Sequence, residues 1–591
     1  MKKLIFLFTF FISSLFCYSQ QNGFIIAENY FRNGEYEKAI QLYKELHNKS
    51  PYNTTYLKRL ISCYQETNQF LVAESLLLKK LKKYPKQTYT YVMLGYNFER
   101  KQEINKADEQ YKNALESVKN NSGYGGIIAN LFKNYNKLDY ALKAYNGIMD
   151  NNPKANYGFQ LAQIYGEKGD FEKMFDSYVN LVDRNEKYLN NIKRYASKYI
   201  NDDSENENNT LLRKSILKKS ISKPKNVWND LLAWLFIKQK QYQKALIQHK
   251  ALLARDADNL SGIKNLGKIA FENKDYETAK ECFDIVIEKT NYPTDKFRAV
   301  YMNLQVDIVT KQPNIEEKFQ QIFTKFGSNR NTLFIQLAYA DFLTFTKNNP
   351  EKGIKVLEKA MSFTNSKFTK ASVKLKLGEI LVFTRNFNKA LIYFSQVQTQ
   401  FKNHFLAQEA RFKVAQASYF KNDFKWAKAQ LKILKGSATQ LIANDAAELF
   451  LTISDNQSKD SISTGLKEYA KADLLAYQNK NKEAIGLLSE IITTYKSQPI
   501  EDEALYKQAQ LFVKQEAYAN AIDNFTKILQ LDPEGILVDN SLYELGELYN
   551  KKLNNPEKAS EYYQKIIFDH ASSIYLVDAR KKYRKLRGDN I

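Results

Sequence analysis

Histidine, cysteine and glycine are where chemistry would show first, and in this chain none is arranged for it. The four histidines, His47, His249, His404 and His570, fall in widely separated stretches. No two have the short spacing with which one helix presents a pair of imidazoles to a metal. Cys17, Cys63 and Cys282 are equally dispersed. A disulfide needs Cα atoms within about 7 Å, so Cys63 and Cys282 read as small apolar packing residues. The stretch Gly262-Ile-Lys-Asn-Leu-Gly267-Lys268 has the outline of a phosphate-binding G-x-x-x-x-G-K loop. It runs into Ile269, where a hydroxyl would have to hold magnesium, and its spacing is that of a helix with no strand before it. Gly123, Gly125 and Gly126 present N–H groups ahead of a helix, and read as a relaxed turn. The sequence thus predicts no catalytic residue, no metal and no cofactor.

The elements that carry these residues are helices in a fixed register. Thr88 to Asn121 is a unit of 34 residues with Tyr91, Leu94 and Phe98 on one helical face and Ala107, Tyr111 and Ala114 on a second. Gly95 lies inside the first helix, where glycine costs about 1 kcal/mol against alanine. Its small size, matched by Ala107, predicts close approach of two backbones. Units starting at Gln20, Thr54, Thr88, Ser122 and Ala155 follow at intervals of 34, 34, 34 and 33 residues. The 591 residues exceed what one compact core accommodates. A stack in which each unit packs only on its neighbours escapes that limit.

The order aromatic, Leu-Gly, aromatic, then Ala, Tyr and Ala across 34 residues resembles the tetratricopeptide repeat. The resemblance implies an all-α, superhelical solenoid of antiparallel helix pairs that binds other proteins or extended peptides along the concave side. Carried over by register, the groove positions of the first helices include Phe24, Phe31, Tyr89, Tyr96, Trp234, Phe412, Tyr506 and Tyr543. The carboxylate clamp of chaperone-binding members is not matched, since Asn130 and Lys133 are accompanied by Gly126 where a lysine is expected.

Taken in order, residues 1–19 read as a secretory signal. Lys2 and Lys3 precede an apolar run from Leu4 to Phe16, too short to span a bilayer as a helix. Cleavage is expected after Ser19. Phe16 before Cys17 argues against a lipoprotein signal, which needs a small residue there. An N-terminal repeat block covers 20–189. An irregular charged linker is expected over 190–225, with the acidic, amide-rich stretch Asn201 to Asn209 and the basic run Arg213 to Lys225. A middle block with degenerate copies spans 226–464, and a C-terminal block with a basic capping helix spans 465–591. The sequence Asn-Asn-Pro-Glu-Lys at Asn348 and again at Asn554 has an Asn cap and a first-turn proline, so both copies predict helix starts.

Charge narrows the partners. The formal net charge of +23 would point to nucleic acid in a cytoplasmic protein. Export and the lack of a nucleic-acid motif turn the expectation to anionic envelope material, in a periplasm or at an outer membrane. No transmembrane helix is expected in the mature chain. The densest cationic patch is Arg580, Lys581, Lys582, Arg584, Lys585 and Arg587. The stretch His570-Ala-Ser-Ser-Ile-Tyr575, with Asp578-Ala579-Arg580, is similar to repeat ends of outer-membrane-assembly lipoproteins. These features predict a non-catalytic adaptor in a bacterial envelope, or an accessory of wall or outer-membrane assembly that binds lipid or polymer through basic surfaces.

Overall fold

The computed structural model describes residues 23–120, 123–437, 440–457 and 464–589. The expected signal sequence and Cys17 lie outside them. The described residues form helices joined by turns, with no strand among them. Each of the two compact units, up to Asp256 and from Ala257 on, is built from antiparallel helix pairs in chain order.

In the first unit α1 covers 23–32 and is followed by α2 (Tyr36–Lys49), α3 (Thr54–Glu66), α4 (Phe70–Lys83), α5 (Thr90–Arg100) and α6 (Ile104–Lys119). Next come α7 (Gly125–Asn134), α8 (Leu138–Asn151), α9 (Gly158–Glu167) and α10 (Phe171–Arg184). The helices form because small and aromatic residues recur at the expected positions. Ala27, Ala39, Tyr43, Leu94, Ala107, Tyr111 and Ala129 are all buried in one continuous core. The turn inside most pairs contains one residue with left-handed backbone, which ends the first helix and reverses the chain. Gly34 and Gly169 fill that position in two pairs, but Asn68, Gln102 and Asn136 fill it in others. This explains how so many turns are made by a glycine-poor chain.

Gly95 meets a ring rather than a facing alanine side chain. A methyl group there would stand 2.5 Å from Cε1 of Tyr111 and 3.1 Å from the Ala107 carbonyl oxygen. Gly267, Gly378 and Gly546 lie in the same way against Phe283, Phe394 and Tyr563. The glycine is therefore a seat for the aromatic side chain of the second helix. Gly125 is also a packing position, its missing Cβ facing Ile148, and Gly262 to Lys268 sits inside the helix Ser261–Glu272.

The segment 190–225, expected to be irregular, is instead helical over α11 (Leu189–Ala196) and α12 (Glu207–Ser222). Its charges are the reason. Asp183 at the end of α10 accepts from Nζ of Lys219, Lys223 and Lys225 at 3.3, 3.1 and 2.9 Å. The basic run is therefore spent on one carboxylate. Burial opposes the Asp183 charge, yet the lysines hold the group well below the ordinary carboxylate range. The amide-rich stretch is ordered by Asn209, whose side-chain NH2 donates to the carbonyls of Asn201 and Asp203 at 3.0 and 2.5 Å. The unit closes with α13 (Asn226–Lys238) and α14 (Tyr242–Arg255).

The second unit opens with α15 (Ser261–Glu272) and α16 (Tyr276–Lys289). The degenerate stretch then resolves into α17 (Pro293–Val309), α18 (Ile315–Phe326), α19 (Leu333–Asp341) and α20 (Pro350–Ser362), with a π-helical turn at Phe342–Thr346. Asn349 and Asn555 cap their helices as the sequence predicts, their Oδ1 atoms accepting from the N–H of Lys352 and Lys558. The pairs α21 (Lys367–Phe383) with α22 (Phe387–Gln400), and α23 (Phe405–Phe420) with α24 (Phe424–Ser437), follow. An additional helix, α25 (Gln440–Asp455), packs on α24. Then come α26 (Thr464–Tyr477), α27 (Asn481–Thr494), α28 (Ile500–Lys514), α29 (Tyr518–Leu531), α30 (Val538–Lys551), α31 (Pro556–Asp569) and α32 (Leu576–Leu586).

The end of α26 reaches far back along the chain. Tyr477 Oη donates to the Glu379 carbonyl at 3.3 Å, and the Gln478 side chain donates to the Phe383 carbonyl at 2.5 Å. Asn479 donates to the Phe345 carbonyl at 2.8 Å. These bonds cross the expected boundary at 464/465, satisfying carbonyls that the earlier helix ends leave open.

Candidate functional site

The face formed by successive first helices is where the predicted aromatics fall, and the structure divides them. Phe24 is half-buried against the rings of Tyr43 and Tyr56. Phe31 is half-buried beside Tyr36, with the Arg59 guanidinium 4.4 Å above its ring. Tyr96 stacks on Tyr135 at 4.0 Å between ring centres. Trp234 and Phe412 are half-buried, Phe412 against the core of the second unit. Tyr543 stacks on Tyr575 at 4.3 Å and donates its hydroxyl to Asp578 at 2.6 Å.

Tyr89 and Tyr506 are core residues instead, 1% and 8% exposed. Tyr89 precedes the first residue of α5, packs on Tyr124 and donates to Gln87 Oε1 at 2.8 Å. Tyr506 turns its ring edge-on to Phe525 of the paired helix. In both, a shift of one helical position moves an inner-face residue into the pair interface.

The basic C-terminus is also less free than its density implies. Lys582 is bound by Glu547 at 2.5 Å and Asp578 at 2.6 Å, with its ammonium over the Tyr543 ring. Arg584 and Arg587 both pair with Asp589, at 3.4 and 2.5 Å. Arg580 and Lys581 are exposed. Sequence proximity made six cations look like one patch. The helix turns them to different sides, and acids two to five residues away or on α30 claim half of them.

Apolar spacing missed a ladder of polar links on the same face. Arg59 of α3 grips Glu28 of α1 with two bonds, at 2.6 and 3.0 Å, and Tyr43 Oη donates to the same carboxylate at 2.6 Å. Glu99 accepts from Tyr111 Oη at 2.8 Å and pairs with Lys137 of the next repeat. Glu547 accepts from Tyr563 Oη at 2.6 Å and pairs with Lys582. The readable signal was tyrosine, rather than phenylalanine, four residues after the small residue of the second helix. A buried phenol needs an acceptor, and an acidic or amide residue supplies it.

One group of acids departs from this ladder. Glu448 of α25, Glu503 of α28 and Glu544 of α30 have no ion pair among the described residues. Glu503 accepts a single bond, from Thr452 Oγ1 at 3.4 Å. Burial and the neighbouring carboxylates Glu448, Asp455 and Asp502 push it up to about 7. Burial raises Glu448 and Glu544 as well, each with another carboxylate adding to the effect. The nearby Asp473 differs, since Lys507 neutralises it at 2.5 Å. Around the acids stand Tyr469, Tyr506 and Tyr575, each raised by burial and by one or more of them. Tyr419, 1% exposed, has no partner for its hydroxyl and is raised by burial, then by Asp473 and Glu503. A cavity of about 380 Å³ opens beside Asp473 and Lys507, between Phe420, Tyr477 and Lys514.

Tetratricopeptide-repeat family models match residues 22–51, 469–536 and 539–567. No curated protein matches the chain. A solved structure of Naa15/Naa10 bound to HypK-THB is 12% identical, covering 96% of this chain and 96% of that one with a TM-score of 0.29. The crystal structure of yeast Tom70 is 15% identical over 76% of this chain and 99% of that one, TM-score 0.32. The APC/C hetero-tetramer Cut9-Hcn1 is 12% identical over 95% and 96%, TM-score 0.25. The chain carries tetratricopeptide repeats, and its fold is the all-α solenoid of helix pairs that such repeats build. Repeats of this class are protein–protein interaction scaffolds.

Proposed function

We propose that this protein is a non-catalytic adaptor that holds partner proteins, through extended segments, on the inner faces of its repeats. The observation that carries the reading is the row of half-buried aromatics on the first helices, Phe24, Phe31, Tyr96, Trp234, Phe412 and Tyr543. Each keeps part of its ring accessible while its other side is held by the scaffold. Rings fixed in this way anchor a peptide with little ordering entropy to overcome.

The leader-like N-terminus supports a bacterial periplasm, or the periplasmic side of the outer membrane, as the location. A second reading, attachment to anionic lipid or wall polymer, draws on the net charge and on exposed Arg580 and Lys581. The pairing of Lys582, Arg584 and Arg587 leaves it a smaller basis than the sequence implied.

Photo-crosslinking in cells tests the adaptor reading. A crosslinking residue at Trp234 or Phe412 should capture partner protein, whereas one at exposed Leu71 or Ile247 of second helices should not. Equal capture from both faces would refute inner-face binding. Fractionation of the tagged chain tests location, and a wholly cytoplasmic product would end the envelope reading.

A further inference from the structure

The chain has cations to spare, 88 against 65 acids. Elsewhere it uses them lavishly. Asp183 takes three lysines, Asp307 takes Lys280 and Lys318, and Glu379 takes Lys376 and Lys413. Glu448, Glu503 and Glu544 stand outside this economy, although they come from three different helices. Lysines near them are already engaged: Lys507 by Asp473, and Lys551 and Lys582 by Glu547. Three half-buried or exposed carboxylates without counter-ions repel one another, and their repulsion is relieved by a positive guest. The unpartnered Tyr419 hydroxyl, with Asp473 and Glu503 close to it, is a second, separate sign. A buried hydroxyl without a partner is uncommon, and a guest ammonium or guanidinium supplies donors while the phenol oxygen accepts. Around them Tyr469, Tyr506 and Tyr575 provide ring surface of the kind that cations favour.

We infer that the inner face of the C-terminal repeats, between α25, α28 and α30, receives a lysine- or arginine-rich segment of a partner protein through Glu448, Glu503 and Glu544. The inference rests on the adaptor reading above and specifies the charge of what is held there. It also differs in sign from a carboxylate clamp, because here the scaffold supplies the acids. The guest's cations would complete the ladder that Arg59, Lys137 and Lys582 complete in other repeats.

The test uses the full mature chain and a fluorescein-labelled Lys/Ser peptide, with Glu/Ser and Gln/Ser peptides of equal length as controls. Anisotropy should show binding of the Lys/Ser peptide alone. Glu448→Gln combined with Glu503→Gln should weaken it roughly tenfold or more. The groups facing Glu503 are Glu448, Asp455, Asp473, Asp502, Tyr419, Tyr469, Thr452 and Lys507, and the cation guest favours the ionised form. Affinity should therefore rise as pH passes upward through about 7. Both substitutions are isosteric, and matching helical content and melting of the variants keep a loss attributable to charge. If Glu503→Gln alone disturbs folding, exposed Glu448→Gln still reports. Unchanged affinity in the double variant, or equal binding of the Gln/Ser or Glu/Ser peptide, overturns the inference. Inner-face crosslinks combined with either result would leave the adaptor intact and remove only the basic guest. An absence of inner-face crosslinks would remove both.

Discussion

Replacing Gly95 by alanine adds one methyl group, and its effect can be worked from the contacts around it. In an open helix interior the change stabilises by about 1 kcal/mol, because glycine has more backbone freedom to lose. At Gly95 the new Cβ would lie 2.5 and 2.6 Å from Cε1 and Cδ1 of Tyr111. The ring cannot swing away cheaply. Its hydroxyl is held by Glu99 at 2.8 Å, and its faces meet Phe132 and Tyr140 at 5.4 and 5.1 Å between centres. Overpacking of such a site costs about 1–3 kcal/mol. With both ends of the ring fixed the upper part of that range applies, so Gly95→Ala should destabilise by about 1–2 kcal/mol net of the propensity gain. Gly486, inside α27 with nothing within 4 Å of a built Cβ, is the matched control. There the same substitution should stabilise by up to about 1 kcal/mol. Because a repeat array does not unfold all at once, local hydrogen exchange in α5–α6 and in α27 is the appropriate assay. Opposite signs at the two sites are expected. Faster exchange at neither, or equal stabilisation at both, would refute the view that the small-residue slot is a ring seat.

Two further substitutions probe the turns and the charged segment. Lys274, exposed and at φ 64°, adopts the left-handed conformation that disfavours side chains. Lys274→Gly should stabilise its helix pair by about 0.5 kcal/mol after allowance for the freer unfolded chain, and an unchanged or lower melting point would count against a strained turn. Asp183→Asn should cost about 1–3 kcal/mol, between exposed and buried ion pairs, and speed proteolysis within 207–225; cleavage at the parent rate would show that the lysines do not hold α12. The folded Asp183 value is depressed, so its contribution is complete above the unfolded carboxyl value near 3.9. It is lost as pH falls through the folded value, and the variant should lack that acid-side decline.

The paired helices were legible because their determinants are local. A small residue, an aromatic four positions later and a 34-residue interval specify each pair without reference to distant chain. Cys63 and Cys282, read as packing residues, are free and buried. Two of the eight inner-face positions were misread, Tyr89 and Tyr506, since a residue one step around a helix exchanges groove for core. The segment 190–225 looked irregular for a different reason. Its helix α12 has apolar residues poorly segregated to one face and is held in place largely by Asp183, 36 to 42 residues away from the lysines it binds. No window of sequence shows that partnership. The contacts of Tyr477, Gln478 and Asn479 with carbonyls of α19–α21 are longer in range still and equally invisible.

The acids of the C-terminal repeats differ from these cases, because what identifies them is a missing partner rather than an unforeseen one. In a solenoid each inner-face carboxylate can be neutralised by the next repeat, and Glu28, Glu99 and Glu547 are neutralised in that way. The device requires only one lysine or arginine in register, and this chain is rich in both. Leaving Glu448, Glu503 and Glu544 unpaired therefore sacrifices stability that was easily within reach. Natural sequences break a local rule of this kind mainly where function requires it. A cation in register would stabilise the empty scaffold and at the same time repel a basic guest. The two demands oppose each other at the same three side chains. Introducing an internal lysine there should accordingly raise melting temperature and lower Lys/Ser peptide affinity together, a trade that ordinary surface charge would not impose.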